Sequence, residues 1–226
     1  MNLPRLIQSA KILFNANTLL LLLLCFTIFG VTLLPELWYA AAYIILLSLI
    51  LICVIFCLDK HYLFLSNITV TALIIILIIG FFTGKRLING ISDGLNGLFF
   101  IFVVFRLLIQ VARSKFVTAK VIIQSVSGFL LLGLVFSLAI ARVESFHPGS
   151  FSFPINENAP VVSRFYDQLY FGFITMGTVG YGDIVPKLPF AKSLTTLIGV
   201  SGQLYVAIVI AMLIGKFSSS SGQSNQ

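Results

Sequence analysis

The stretch Thr175-Met176-Gly177-Thr178-Val179-Gly180-Tyr181-Gly182-Asp183 decides how this chain is read. Its centre, Thr178 to Gly182, spells T-V-G-Y-G. An extended strand alternates the direction of its side chains and carbonyls. A loop whose carbonyls all point one way needs backbone conformations closed to most residues, and Gly180 and Gly182 supply them. Such a row of oxygens, with the Thr178 hydroxyl closing its inner end, can replace the water around a dehydrated cation. Val179 and Tyr181 then point away from the oxygens and brace the loop. A glycine-rich run by itself marks an ordinary turn more often than a site. This one lies between two long apolar segments, where a loop re-entering a membrane must lie.

The chain of 226 residues is 59% hydrophobic and 9% charged, with a mean hydropathy of +1.09. A soluble domain carries about 25% charged residues, so the composition is that of an integral membrane protein. The net charge of +7 comes from 14 basic residues set near the ends of apolar runs. No basic patch interleaved with exposed aromatics suggests nucleic acid. Cys25, Cys53 and Cys57 lie in apolar runs and read as small buried hydrophobes. Two cysteines four apart on one helix are too few ligands for a zinc site.

Working outward, apolar runs predict helical spans over 17–34, 37–58, 67–82, 94–112, 117–143 and 190–217. Each must be helical, because a backbone in lipid has to satisfy its own polar groups. Residues 1–16 read either as an amphipathic helix on the cytoplasmic membrane surface or as a basic lead-in that fixes orientation. Residues 218–226 are polar and low in complexity, which predicts disorder. With both termini cytoplasmic, seven basic residues flank the inner side against six outside, a narrow margin for that orientation. On this reading Asp93 and Arg142 fall in external segments.

The run T-M-G-T-V-G-Y-G-D resembles the selectivity filter of potassium channels, whose common form is T-M-T-T-V-G-Y-G-D. The resemblance covers about the last half of the chain, 113–217, as outer helix, turret, pore helix, filter and inner helix. It implies an all-α membrane fold of six spans with a re-entrant pore helix and filter loop, assembled as a homotetramer. It also implies K+ held at Thr178, Val179, Gly180 and Tyr181, with Gly182 completing the filter, and a filter loop that enters from outside. The pore helix is expected over 164–175, with Ser163 as N-cap, Asp167 in the first turn and its carboxyl end aimed at a central cavity. Filter support is expected from Tyr170, Thr175 and Asp183, with the Tyr170 hydroxyl bonded to the Asp183 carboxylate. Phe171 stands where a tryptophan donor is common, Ile174 where some relatives carry an acid, and Gly177 where a threonine is usual. Gly199 and Gly202 are gating-hinge candidates, and close packing of small residues explains them equally well. His147 falls in the turret loop, either as a pH sensor or as a solvated side chain. Gln203 faces a water-filled cavity or another subunit.

Residues 17–112 form a four-span domain like that of voltage-gated channels, yet charge-poor. A voltage sensor repeats Arg or Lys every third residue. The fourth span offers Arg106 and then Arg113, seven apart, and the second and third spans hold no acid. One charge crossing 100 mV yields about 2.3 kcal/mol, so Arg106 alone supports little voltage dependence. It either snorkels to the inner interface or meets a partner. The expectation is a passive potassium-selective channel of a plasma or bacterial inner membrane. It is not an enzyme, and it needs no cofactor beyond K+ as the permeant ion. Its partners are copies of itself and membrane lipids. The alternatives are a subunit of a potassium uptake transporter and a non-conducting membrane scaffold.

Overall fold

The computed structural model describes residues 16–35, 38–58, 63–84, 86–153 and 161–222. The amphipathic helix read over residues 1–16 lies outside them but for Ala16, which opens α1. Every regular element described is a helix, apart from one isolated antiparallel bridge between Phe151 and Pro186. In chain order these are α1 (Ala16–Gly30), α2 (Tyr39–Cys57), α3 (Leu63–Thr83), α4 (Arg86–Arg113), α5 (Ala119–Phe146), α6 (Val161–Met176) and α7 (Pro189–Gly222). α1 widens to a π turn over Phe26–Gly30 and ends in a 3-10 turn over Val31–Leu33. There the Thr27 hydroxyl donates to the Leu23 carbonyl at 2.7 Å, a back-bond of the kind that bends helices.

Among the described residues, four helices are long and apolar enough to cross a membrane: α3, α4, α5 and α7. Two further apolar helices, α1 and α2, are shorter. α6 has 16 residues and a mixed polar and aromatic face. The chain is therefore a membrane protein with a helix too short to span lying between two that are long enough.

Two hydrophobic clusters hold the helices. The larger runs from Leu20 and Leu24 of α1 through Leu47, Ile50 and Val54 of α2 to Phe100 and Leu107 of α4, and on to Leu131 and Leu134 of α5. The smaller surrounds α6 and joins Phe136 and Ile140 of α5, Phe171 and Met176 of α6, Ile184, and Ala191 and Ile198 of α7. α5 is the shared wall between the two. It starts at Thr118, whose hydroxyl accepts the Val121 N–H at 3.4 Å.

Four sequence expectations need correction. The fourth span does not begin at residue 94. α4 starts at Arg86, so Asp93 and Asn96 are inside the helix, with Asn96 fully buried. Polar residues there interrupt the apolar run, and α4 itself takes up part of their hydrogen bonding: the Asn96 Nδ2 donates to the Ser92 carbonyl at 2.9 Å. Asp93 and Arg142, expected in external segments, both lie in helices and pair with each other at 2.8 Å. α6 begins at Val161, so Ser163 is within its first turn rather than at the N-cap, and Asp167 comes later than the first turn. Finally, α7 continues to Gly222, so residues 218–222 extend the inner helix where the sequence predicts disorder.

Candidate functional site

α6 ends at Met176 and the chain turns back on its last carbonyls. A helix leaves its final carbonyls without intrahelical donors. Here the following loop supplies them. Gly177 N donates to Phe173 O at 2.8 Å, Thr178 N to Thr175 O at 3.0 Å, and Val179 N to Ile174 O at 2.8 Å. Gly180 N shares the Ile174 carbonyl at 3.3 Å. The T-V-G-Y-G segment is thus anchored to the pore helix through its own backbone, and Thr175 and Ile174 serve through their carbonyls.

Beyond that anchor the backbone alternates. Thr178, Gly180 and Gly182 have φ of +59°, +53° and +83°. Left-handed conformations at every second residue turn every second peptide plane over. An extended strand has no such residues and points successive carbonyls to opposite sides. Gly180 and Gly182 take the left-handed conformation without cost. Thr178 is the one non-glycine residue with positive φ among the described residues, and its hydroxyl donates to Gly177 O at 2.7 Å. Sequence reasoning assigned the backbone demand to the two glycines and missed Thr178, because threonine carries no sign of left-handed geometry. Such strain is found where the surroundings over-determine a functional conformation.

The outer end of the segment is held from two sides. From the pore helix, Tyr170 Oη donates to Asp183 Oδ2 at 2.8 Å. From the turret, Ser152 N donates to Val185 O at 2.9 Å, and Lys187 N donates to Ser150 O at 2.7 Å. The turret is itself fixed by Glu144, which accepts Gly149 N at 2.7 Å and Phe151 N at 3.1 Å. Nothing in the residue pattern singled out Glu144. Phe171, which has no donor, packs its ring edgewise on Phe151 at 5.4 Å and anchors the turret apolarly. His147 is exposed and lies against the Phe190 ring at 4.7 Å. Burial, and then the charge of Asp183, hold the Asp167 carboxyl above its ordinary range.

α7 approaches the end of α6 closely at Gly202. A Cβ there would lie 2.4 Å from both the carbonyl oxygen and Cγ of Met176. At Gly199 the nearest neighbour, Thr175 O, would be 3.8 Å away. Close packing therefore accounts for Gly202 without a hinge, and α7 is one continuous helix through both glycines. On α5, Gly133 lies under the Phe173 ring and Gly128 under Tyr205, whose hydroxyl donates to Ser125 O at 2.8 Å. Gln203 is exposed in the single chain. Among the described residues no group of His, Cys, Asp or Glu could hold a metal ion, and Cys25, Cys53 and Cys57 are free thiols.

Residues 128–219, which run from α5 through the T-V-G-Y-G loop into α7, match the family described as "Ion channel" (Ion_trans_2). Curated relatives narrow the likeness. The chain is 29% identical to the inward rectifier potassium channel Kirbac3.1 of Paramagnetospirillum magnetotacticum over 107 residues, 45% of this chain and 32% of that protein. It is 31% identical to the potassium voltage-gated channel protein shk-1 of Caenorhabditis elegans over 110 residues, 49% of this chain and 20% of that protein. With the human potassium voltage-gated channel subfamily A member 10 it shares 29% identity over 87 residues, 38% of this chain and 17% of that protein. Through residues 128–219 the chain is thus similar to ion channels, and the curated relatives named here are potassium channels. The matches span a third or less of these relatives' length. No solved structure matches the chain.

Proposed function

We propose that this protein is a potassium-selective channel, passing K+ passively through a pore built by four copies of the chain. The observation that carries the reading is the alternation of positive φ at Thr178, Gly180 and Gly182, directly after a helix whose carboxyl end is tied to the same loop. A row of carbonyls on one side of one chain is a quarter of a cage. Several rows around an axis replace an ion's hydration shell, with K+ at Thr178, Val179, Gly180 and Tyr181.

The tetramer is supported by what the single chain leaves bare. Val179 is 55% exposed and Tyr181 74% exposed, although their side chains are the ones expected to brace the filter. Along α7, Leu197, Val200, Leu204, Ile208 and Ile214 are exposed too. Neighbouring copies would cover these side chains, and Gln203 would face the cavity or an adjacent copy. Six spans, counting α1 and α2, would put both termini on one side, read here as the cytoplasmic side of a plasma or bacterial inner membrane, with lipid around the outer faces. No Arg or Lys ladder lies along α4, which supports weak or absent voltage dependence.

The test is flux from liposomes holding the purified full chain, with K+ and Na+ gradients compared. Barium-blockable K+ flux well above Na+ flux is expected. Equal flux of both ions, or none in a correctly assembled oligomer, would defeat the reading.

A further inference from the structure

Asp93 and Arg142 carry a consequence that the pore itself does not use. Asp93 lies on α4 and Arg142 on α5, the outer helix of the pore unit. Arg142 Nη2 meets Asp93 Oδ2 at 2.8 Å, and both side chains are largely covered. Gly90, one turn before Asp93, lies against Arg142 and Phe146. The pair therefore crosses from the first four helices to the pore unit at one end of α4.

The other end of α4 is tied as well. Lys216, near the end of α7, donates to the Val111 carbonyl, to the Ala112 carbonyl at 3.0 Å and to the Ser114 hydroxyl at 2.8 Å. A cation on the last carbonyls of a helix is also favoured by the helix dipole. Beside it, Gln124 of α5 donates to Gln110 of α4 at 2.6 Å, and Gln110 donates to Cys57 O of α2 at 3.1 Å. From Asp93 to Ala112 the rise of α4 is about 28 Å. A helix held at two points that far apart cannot slide by a turn, about 5.4 Å, without breaking one of them.

We propose that α4 is a fixed brace clamped to the pore unit at both ends, with the Asp93–Arg142 ion pair as an intramembrane lock at the outer end and Lys216 on the carboxyl end of α4 as the inner clamp. A helix that carries charge through a field has to move relative to its neighbours. This one spends its buried acid on a bond to the pore. The first four helices therefore act on conduction by restraining the outer helix, and the lock sets how often the pore is open. Asp93 and Arg142 are positioning residues, remote from the carbonyl row.

The inference rests on the channel reading only for its conductance arm. Full-length Asp93→Asn, Arg142→Gln, the doubly neutral protein and the charge swap Asp93→Arg with Arg142→Asp would be purified and reconstituted. Open probability would be recorded in planar bilayers and the thermal midpoint of the oligomer measured. Each single substitution is expected to change open probability roughly tenfold, with the swap returning it to within about threefold. The thermal midpoints are expected to be non-additive in the same sense. A single variant that fails to assemble while the doubly neutral protein assembles also supports the lock, because one unpaired charge is then what fails. Additive midpoints, single variants with unchanged open probability, or a swap and a doubly neutral protein that recover nothing would overturn it. Absence of K+ flux in the unsubstituted protein would count against the channel reading alone, since the thermal cycle still reads the lock.

Discussion

α5 and α7 flank the same loop, with spanning segments of 28 and 29 residues and closely matched apolar character. Yet within the 18-residue apolar stretch of each, 72% of the residues are buried on α5 and only 22% on α7. The difference is one of neighbours. α5 is walled by α4, α6 and α7, and small residues such as Gly128, Gly133 and Ser137 let aromatic rings and the pore helix approach it. α7 buries one stripe, Ile198, Gly202, Tyr205 and Val209, at helical spacing, and leaves its other faces bare. Apolar composition tells only that a helix belongs in a membrane. The burial pattern tells what remains to be covered, and on α7 that is the surface which the proposed pore would give to its other copies and its cavity.

The strongest way to break this contrast is to spoil the loop that both helices hold. In Gly180→Ala a Cβ meets nothing within 4 Å at a φ of +53°, so the substitution tests conformation alone. The left-handed backbone costs an L-residue roughly 1–2 kcal/mol in each copy. Loss of K+ over Na+ discrimination, or loss of flux from an assembled oligomer, is the expected result in the liposome assay. Retained selectivity would show that the carbonyl row does not depend on that conformation.

Next in size is the contact between α7 and the pore helix. Gly202→Ala places a Cβ 2.4 Å from the Met176 carbonyl oxygen, and overpacking of this kind costs about 1–3 kcal/mol. A lower thermal midpoint and reduced flux are expected. Gly199→Ala has 3.8 Å of room and gains up to about 1 kcal/mol of helix propensity, so it should assemble and conduct as before. A hinge at both glycines would instead show in open probability for both variants, with little change in midpoint.

The two regions were not equally legible. The loop is written in contiguous residues, Thr178 to Gly182, whose types state a backbone demand. The Tyr170 hydroxyl and Asp183 also stand at a readable offset. The position of α4 was hidden because Asn89, Ser92, Asp93 and Asn96 look like a loop when scanned for apolar runs. What lets them sit in a helix is partly Arg142, 49 residues later in the chain, and no local pattern reports a partner that far away. Glu144 was invisible for a different reason: a carboxylate that caps backbone N–H groups of an irregular loop leaves no spacing rule. The φ of Thr178 is likewise hidden, because it goes with backbone bonds from Gly177, Thr178 and Val179 to α6 that its residue type does not announce.

At the outer mouth a smaller effect separates the two supports of the loop. Tyr170→Phe removes the donor at 2.8 Å from Asp183 and leaves the Ser150 and Ser152 contacts to 185–187 in place. Selectivity should persist while current under sustained recording decays faster than in the unsubstituted protein. Asp183→Asn keeps an acceptor oxygen and should fall between the two. Equal decay in all three would assign the hold on the outer mouth to the turret.

The smallest effect is expected at Arg106, and it probes the first four helices directly. Arg106 is on α4, between the lock at Asp93 and the clamp at Lys216. Its charge is worth about 2.3 kcal/mol per 100 mV only if it crosses the whole field. A helix tied at both ends does not carry it across, so Arg106→Gln should leave the slope of conductance against voltage unchanged. Planar-bilayer recording between negative and positive potentials measures that slope. A slope that flattens in the variant would mean that α4 moves, and the brace would then have to release at one end during opening. An unchanged slope in Arg106→Gln, together with an open probability that shifts when Asp93→Asn breaks the lock, would separate the two roles that one helix can play. The pore would be restrained by α4 through bonds, with the membrane field acting on neither.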